Sequence, residues 1–207
     1  NVKIISDNFI LDADDVKIDF DQSLYDITKL DAKGSVKFNS IKFKINGIGE
    51  NLILIVKTED LKIEGSGSEL RTDSINMFSD GFVKINNQNG NFSLKGLNSK
   101  LVNETIIIEA ESIEGTFSNN GSKREIVYLD AIDKNISYVK NNNTEMYAKK
   151  INFNQENSLI ELIDDVTIIR GEEKITGDYG TLDTRNNSYK IKSNNKNKVK
   201  IIIQSDE

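Results

Sequence analysis

The strongest constraint on this chain is a period of two. Val16, Ile18 and Phe20 alternate with Lys17 and Asp19. Leu30, Ala32, Gly34, Val36 and Phe38 alternate with Asp31, Lys33, Ser35 and Lys37, and after Ile41 the pattern runs on through Phe43 and Ile45. A strand sends successive side chains to opposite faces, so each run builds one apolar face and one charged face. Apolar residues at helical spacing are nearly absent, and the alternating positions favour β-branched and aromatic side chains. The chain is expected to be all-β.

Two stretches depart from the alternation. Leu52 to Lys57 and Ile106 to Ile108 are apolar on both faces, so each is expected to be a central, doubly covered strand. Turn signals punctuate the rest: Gly65-Ser66-Gly67, Ser79-Asp80-Gly81, the hairpin loop Asn86 to Gly90, the Asn-rich segment 118–122 and the polar run Lys140 to Thr144. They recur about every 8–12 residues, the spacing of sandwiches, barrels and solenoids. No linker interrupts the chain. Residues 1–207 read as a single elongated domain with an internal duplication, whose best boundary lies near 118–122. The tail Gln204 to Glu207 is expected to fray.

The duplication is visible in the residues. Ala13 to Leu24 (ADDVKIDFDQSL) lies beside Ala148 to Leu159 (AKKINFNQENSL), and each copy leads to a small or acidic pair followed by valine: Gly34-Ser35-Val36 and Asp164-Asp165-Val166. The unit is a hairpin with one apolar face, which it can bury only against further copies.

Composition removes whole classes of chemistry. There is no His and no Cys, so a zinc site, a disulfide framework and Ser-His or Cys-His nucleophiles are excluded. The net charge is -6 with scattered basic residues, which argues against nucleic acid. Asp12, Asp14 and Asp15, and Glu172 with Glu173, are close in sequence but lack a calcium-loop pattern. Gly47-Ile48-Gly49 and Gly65-Ser66-Gly67 open no helix and are followed by no Lys-Ser/Thr, so they are not phosphate loops. No cofactor, no metal and no catalysis are expected. A carboxylate pair acting on carbohydrate stays as one alternative, because 33 acidic residues supply many pairs. No apolar run approaches the roughly 18 residues of a membrane-spanning helix. Asn1 is followed directly by Val2-Lys3-Ile4-Ile5, so no leader is visible and a removed leader or anchor stays open.

What remains is architecture. A rolled or two-layer sheet of many short strands has an apolar inner face, and where its layers splay that face becomes a trough suited to acyl chains. Its first and last strands are open edges that another protein can extend. Val2, Ile4, Val199, Ile201 and Ile203 mark those edges, with Lys3, Lys198 and Lys200 as competing guards.

From Ala148 to Lys192 the order of features resembles a known family. A strand and an Asn-rich turn lead to Leu159-Ile-Glu-Leu-Ile-Asp-Asp-Val-Thr-Ile168. A turn at Arg170-Gly171, then Ile175-Thr-Gly-Asp178, Tyr179-Gly-Thr-Leu-Asp183 and Asn186-Asn-Ser-Tyr-Lys190 follow. This resembles the OstA-like (LptA/LptC) family of the lipopolysaccharide transport (Lpt) system, with Asp164 where that family usually has Gly. The match covers about 45 residues well, and 10–60 loosely through the repeat. The resemblance implies an open β-jellyroll of stacked antiparallel strands. It implies a periplasmic protein that carries lipopolysaccharide between inner and outer membranes, with the lipid A acyl chains in its interior and no catalysis. It implies edge-to-edge strand pairing with other Lpt components and a head-to-tail homo-oligomer. The soluble bridge component fits best, and the membrane-anchored component of the same system is the alternative. A structural β-solenoid or adhesin module with no ligand is another.

Alternation, rather than the resemblance, nominates the interior residues: Val16, Ile18, Phe20, Val36, Phe38 and Phe43 in the first copy, and Ile151, Phe153, Ile160, Leu162, Val166, Ile168, Ile175 and Tyr179 in the second. Core packing and lipid contact are both open to each of them.

Overall fold

The computed structural model describes residues 1–23, 26–118, 123–193 and 198–203. Residues 24–25, 119–122, part of the 192–198 connection and the tail 204–207 lie outside the described residues. There is no helix among the described residues, and nineteen antiparallel strands form one continuous hydrogen-bonded array. They are β1 (Val2–Ile5), β2 (Phe9–Ala13), β3 (Asp15–Phe20), β4 (Ile27–Ser40), β5 (Ile45–Ile55), β6 (Asp60–Glu64), β7 (Ser68–Arg71), β8 (Asn76–Ser79), β9 (Phe82–Asn86) and β10 (Asn91–Lys95). Then follow β11 (Lys100–Val102), β12 (Ile106–Glu109), β13 (Ser112–Ser118), β14 (Glu125–Asn141), β15 (Thr144–Asn154), β16 (Leu159–Arg170), β17 (Glu173–Asp183), β18 (Ser188–Lys192) and β19 (Lys200–Ile203).

The pairings resolve into two walls. The first wall runs β1, β2, the end of β4, the start of β5, β7, β8, β11, β12, the end of β14, the start of β15, the end of β16, the start of β17, and β19. The second runs β3, the start of β4, the end of β5, β6, β9, β10, β13, the start of β14, the end of β15, the start of β16, the end of β17, and β18. Among the described residues, the passages between walls fall along one line, the vertex, and the hairpin turns fall along one of two lips.

The vertex is crossed in two ways. Short strands cross through turns: Gly65 to Gly67 joins β6 to β7, Asp80-Gly81 joins β8 to β9, and Gly96 to Ser99 joins β10 to β11. These turns stack on each other through Gly65 N donating to Gly81 O at 2.9 Å and Asp80 N donating to Leu97 O at 3.0 Å. Long strands bend instead. β4 does so with Gly34 (φ 74°) and Ser35 (φ 48°), and β16 with Asp164 (φ 63°) and Asp165 (φ 54°), both pairs left-handed. Each is a bulge of one extra residue against the partner strand. The sequence repeat is therefore the same corner built twice.

Small residues fill the inside of the vertex. Ser68, Ser79, Ser99 and Ser137 are buried there, and their hydroxyls reach nearby backbone carbonyls, Ser79 Oγ donating to Lys95 O at 3.0 Å. Between the walls one cluster joins both inner faces: Leu11, Val36, Phe38, Leu70, Met77 and Ile168 from the first, and Leu30, Leu61, Ile63, Leu94, Leu129 and Leu162 from the second. The outer faces carry ion pairs and water-exposed polar rows.

Two expectations need correction. Leu52 to Lys57 is covered on one face only: Leu52 and Leu54 are buried, while Ile55 and Val56 are exposed, because the second wall has solvent outside it. Ile41 to Lys44 is the turn between β4 and β5 rather than a continuing strand, and Phe43 lies in it, half-buried under Lys42 Nζ at 4.5 Å. The expected boundary near 118–122 falls mostly outside the described residues; the strands on either side of it, β13 and β14, pair with each other.

Candidate functional site

The site is the space between the walls. Its lining is set by strand phase, and phase at the vertex depends on whether a residue is added. β16 turns the corner with one extra residue, and Ile160, Leu162, Val166 and Ile168 all stay inward and buried. β4 does the same, with Leu30, Ala32, Val36 and Phe38 buried. β17 turns with none added, and its phase slips by one: Ile175 is inward in the first wall, Gly180 and Leu182 in the second.

That slip corrects Tyr179. It lies on the outer face, paired with Ile163, and its hydroxyl donates to Glu161 Oε1 at 2.6 Å. This bond to a carboxylate pushes the Tyr179 phenol up to about 12, with partial desolvation adding to it. Phe20 is corrected too. It sits 39 % exposed at the lip end of β3, beyond a register shift at Asp19, where an edge strand has no outer neighbour to cover it. Of the other predicted interior residues, Val36, Phe38, Ile151, Ile160, Leu162, Val166, Ile168 and Ile175 are buried between the walls. Val16, Ile18 and Phe153 are partly buried strand residues packed on the same cluster, as is Phe43 from its turn.

The inward row fills its space in this structure. Leu30, Val36, Leu52, Ile63, Leu70, Val83, Leu94, Ile151 and Leu162 have no exposed surface at all, so no water-sized gap adjoins them. The polar groups buried with them are Ser, Asn and Thr, and no Asp or Glu among the described residues is buried.

The two lips are held differently from the vertex. Among the described residues no backbone–backbone hydrogen bond joins them; side chains do. Lys42 Nζ meets Glu59 Oε1 at 3.0 Å, Arg170 Nη1 donates to Asn187 O at 3.0 Å, and Tyr189 OH donates to Glu173 Oε2 at 2.7 Å. Near the middle Arg124 bonds to both lips. Beside it a cleft of about 300 Å³ opens between Asn103, Thr105 and Ile106 of the first lip and Ile126, Phe153 and Gln155 of the second. A larger cleft of about 800 Å³ lies on the outer side of the vertex, against Leu97, Asn135, Tyr138 and Tyr147.

The residues nominated as edges lie on or beside the first and last strands, β1 and β19. Among the described residues β1 pairs only with β2, and β19 only with β17, so they border the first wall at opposite ends. Val2 is exposed and Ile4 packs on the core. Val199 immediately precedes β19, and Ile201 and Ile203 are 59 % and 68 % exposed.

Sequence reasoning missed the lip contacts. Arg124 reaches residues 37 and 81 positions away, and no local pattern announces such a pairing. The one available signal was a lone Arg beside the Asn-rich segment 118–122.

Comparison with known proteins bears on the same features. The family model described as LptA/(LptD N-terminal domain) LPS transport protein matches residues 79–188, just over half of the chain. Strands β1 to β7 lie wholly outside that match, yet they continue both walls. No curated protein sequence matches. Among solved structures the chain is similar to LptH, the LptA-homologous periplasmic component of the lipopolysaccharide transport device from Pseudomonas aeruginosa. The identity is 14%, the TM-score is 0.52, and the match covers 63% of this chain and 95% of that one. At that identity the likeness concerns the fold.

Proposed function

The chain belongs to the LptA/LptD N-terminal-domain family of lipopolysaccharide transport proteins, and from that premise we propose that it binds lipopolysaccharide in the periplasm, as a soluble bridge between inner and outer membranes. The lipid A acyl chains lie between the two walls. One observation carries this reading: two apolar inner faces run the length of the molecule, continuous through the vertex and, among the described residues, joined at the lips by side chains alone.

Such a fold can open about its vertex without breaking a ladder. The cost is loss of contact between the inner rows, and acyl chains replace that contact with about 0.8 kcal/mol per buried methylene. Val36, Phe38, Ile151, Ile160, Leu162, Val166 and Ile168 would line the opened space. No catalytic step belongs to this reading.

The edges supply the partners. β16 to β19 repeat the arrangement of β4 to β7: the same left-handed corner, then a strand on each wall. Within the chain β6 and β7 are covered by β9 and β8. β18 and β19 have no such cover among the described residues, and strands from another Lpt component, or from a second copy head to tail, would supply it.

A second reading, a structural module without ligand, is favoured by the filled interior. Closing the lips covalently separates the two. Cysteines at Lys42 and Glu59, joined by a short thiol-reactive linker, hold the lips shut. Purified lipopolysaccharide should bind the unlinked protein and fail to bind the linked one; equal binding by both would overturn the proposal.

A further inference from the structure

Arg124 is the most buried cation at the lips. Its side chain is 13 % exposed, and it stands just before β14. Nη2 donates to Phe43 O at 3.1 Å, in the first lip, and to Asn87 Oδ1 at 3.1 Å, in the second. Nη1 lies 3.8 Å from Asp73 Oδ1, again in the first lip. The guanidinium carbon lies 5.4 Å from the centre of the Phe117 ring, which belongs to β13 of the second wall. The backbone is tied as well: Ser74 Oγ donates to Arg124 O at 2.8 Å and accepts from Arg124 N at 3.1 Å.

This cation is held, but not well satisfied. Nε is buried with no hydrogen-bond partner among the described residues. Burial lowers the Arg124 pKa and Asp73 only partly offsets that. Both acceptors of Nη2 are neutral. A closure built for permanence would seal the lips with apolar packing, which avoids the desolvation of a charge. The other contacts across the lips are exposed pairs, worth little in water. The cleft between the lips begins beside Arg124.

We propose that Arg124 is the latch of this protein: release of its guanidinium from Phe43 O and Asn87 parts the lips and sets the rate at which acyl chains enter. This rests on the lipid reading of the interior, and it adds a residue and a step to it. In the open state Arg124 regains water while Asp73 and Asn87 separate. The bound chains keep the walls apart until they leave.

The test uses the full chain and fluorescently labelled lipopolysaccharide in a stopped-flow instrument. Arg124→Ala should raise the association rate constant roughly ten- to a hundredfold, as expected when hydrogen bonds to a charged group are lost. Asn87→Ala removes one acceptor only and should raise it less, which guards against a misfolded Arg124 variant. Amide exchange without lipid reads the lips directly: turns 41–44 and 87–90 should exchange faster in both variants. Faster exchange with no lipid bound by any form would sink the lipid reading and the acyl-entry step with it, leaving Arg124 only as the contact that holds the lips. Wild-type exchange and wild-type association rates in both folded variants would overturn the latch.

Discussion

Val166 faces Gly177 across β16 and β17, immediately after the left-handed pair Asp164 and Asp165; Val36 faces Gly49 in the same position after Gly34 and Ser35. Each corner needs an added residue on one strand and a glycine on the other. A Cβ at Gly177 would collide with Ile191 Cγ2 and lie 2.8 Å from Lys192 O; at Gly49 it would collide with Ile63 Cγ2 and lie 3.2 Å from Glu64 O. Gly177→Ala and Gly49→Ala should each cost about 1–3 kcal/mol by denaturant unfolding. Asp164→Val, a branched side chain at positive φ, should cost about 1–2 kcal/mol, whereas Asp164→Gly should leave stability nearly unchanged. Equal effects of the Val and Gly substitutions would show that the corner is not what constrains this position.

The inward rows predict a contrast along the strands. Ile168→Ala and Leu162→Ala empty fully packed positions and should cost about 2–5 kcal/mol. Phe20→Ala, at a half-exposed edge, should cost less than about 1 kcal/mol. Urea midpoints of the three variants check this, and a Phe20 effect as large as that of Ile168 would mean the edge strand is covered.

Alkaline pH should loosen the fold through its tyrosines. Tyr179 is bonded to Glu161 and Tyr189 to Glu173, and both phenols are raised, Tyr179 to about 12. A folded pKa above the unfolded value, about 10, means that the stabilisation is intact below pH 10 and is lost as pH rises through the folded value. Tyrosinate absorbance should therefore show a late-titrating phenol that Glu161→Gln restores to the ordinary range. A Tyr179 that titrates normally in the wild type would contradict the outer-face pairing.

Ile201→Lys with Ile203→Lys should weaken any concentration-dependent association while leaving the unfolding midpoint within about 0.5 kcal/mol, since both side chains are exposed. Sedimentation across a dilution series reads this. Association that persists undiminished would move the joint away from β19.

Much of the fold was legible because alternation is local. Leu30, Val36, Phe38, Ile160 and Ile168 needed only their neighbours to declare an inward side, and the repeat pointed at Gly34-Ser35 and Asp164-Asp165 before their geometry was in view. Tyr179 was not legible, because a corner without an added residue reverses the phase and no residue in β17 marks the slip. Ile55 and Val56 misled for a related reason: composition does not say which face of a strand meets a second layer. The lips were illegible altogether. Arg124, Asn87 and Phe43 come together only when two walls fold about one vertex.

The most direct measurement places a photocrosslinking amino acid at Ile168 or Phe38, inside, and at Tyr179, outside, and irradiates cells in which the protein is working. The account predicts lipopolysaccharide adducts at Ile168 and Phe38 and none at Tyr179. Adducts confined to Tyr179, or absent from both inner positions, would contradict the claim that acyl chains travel between the walls.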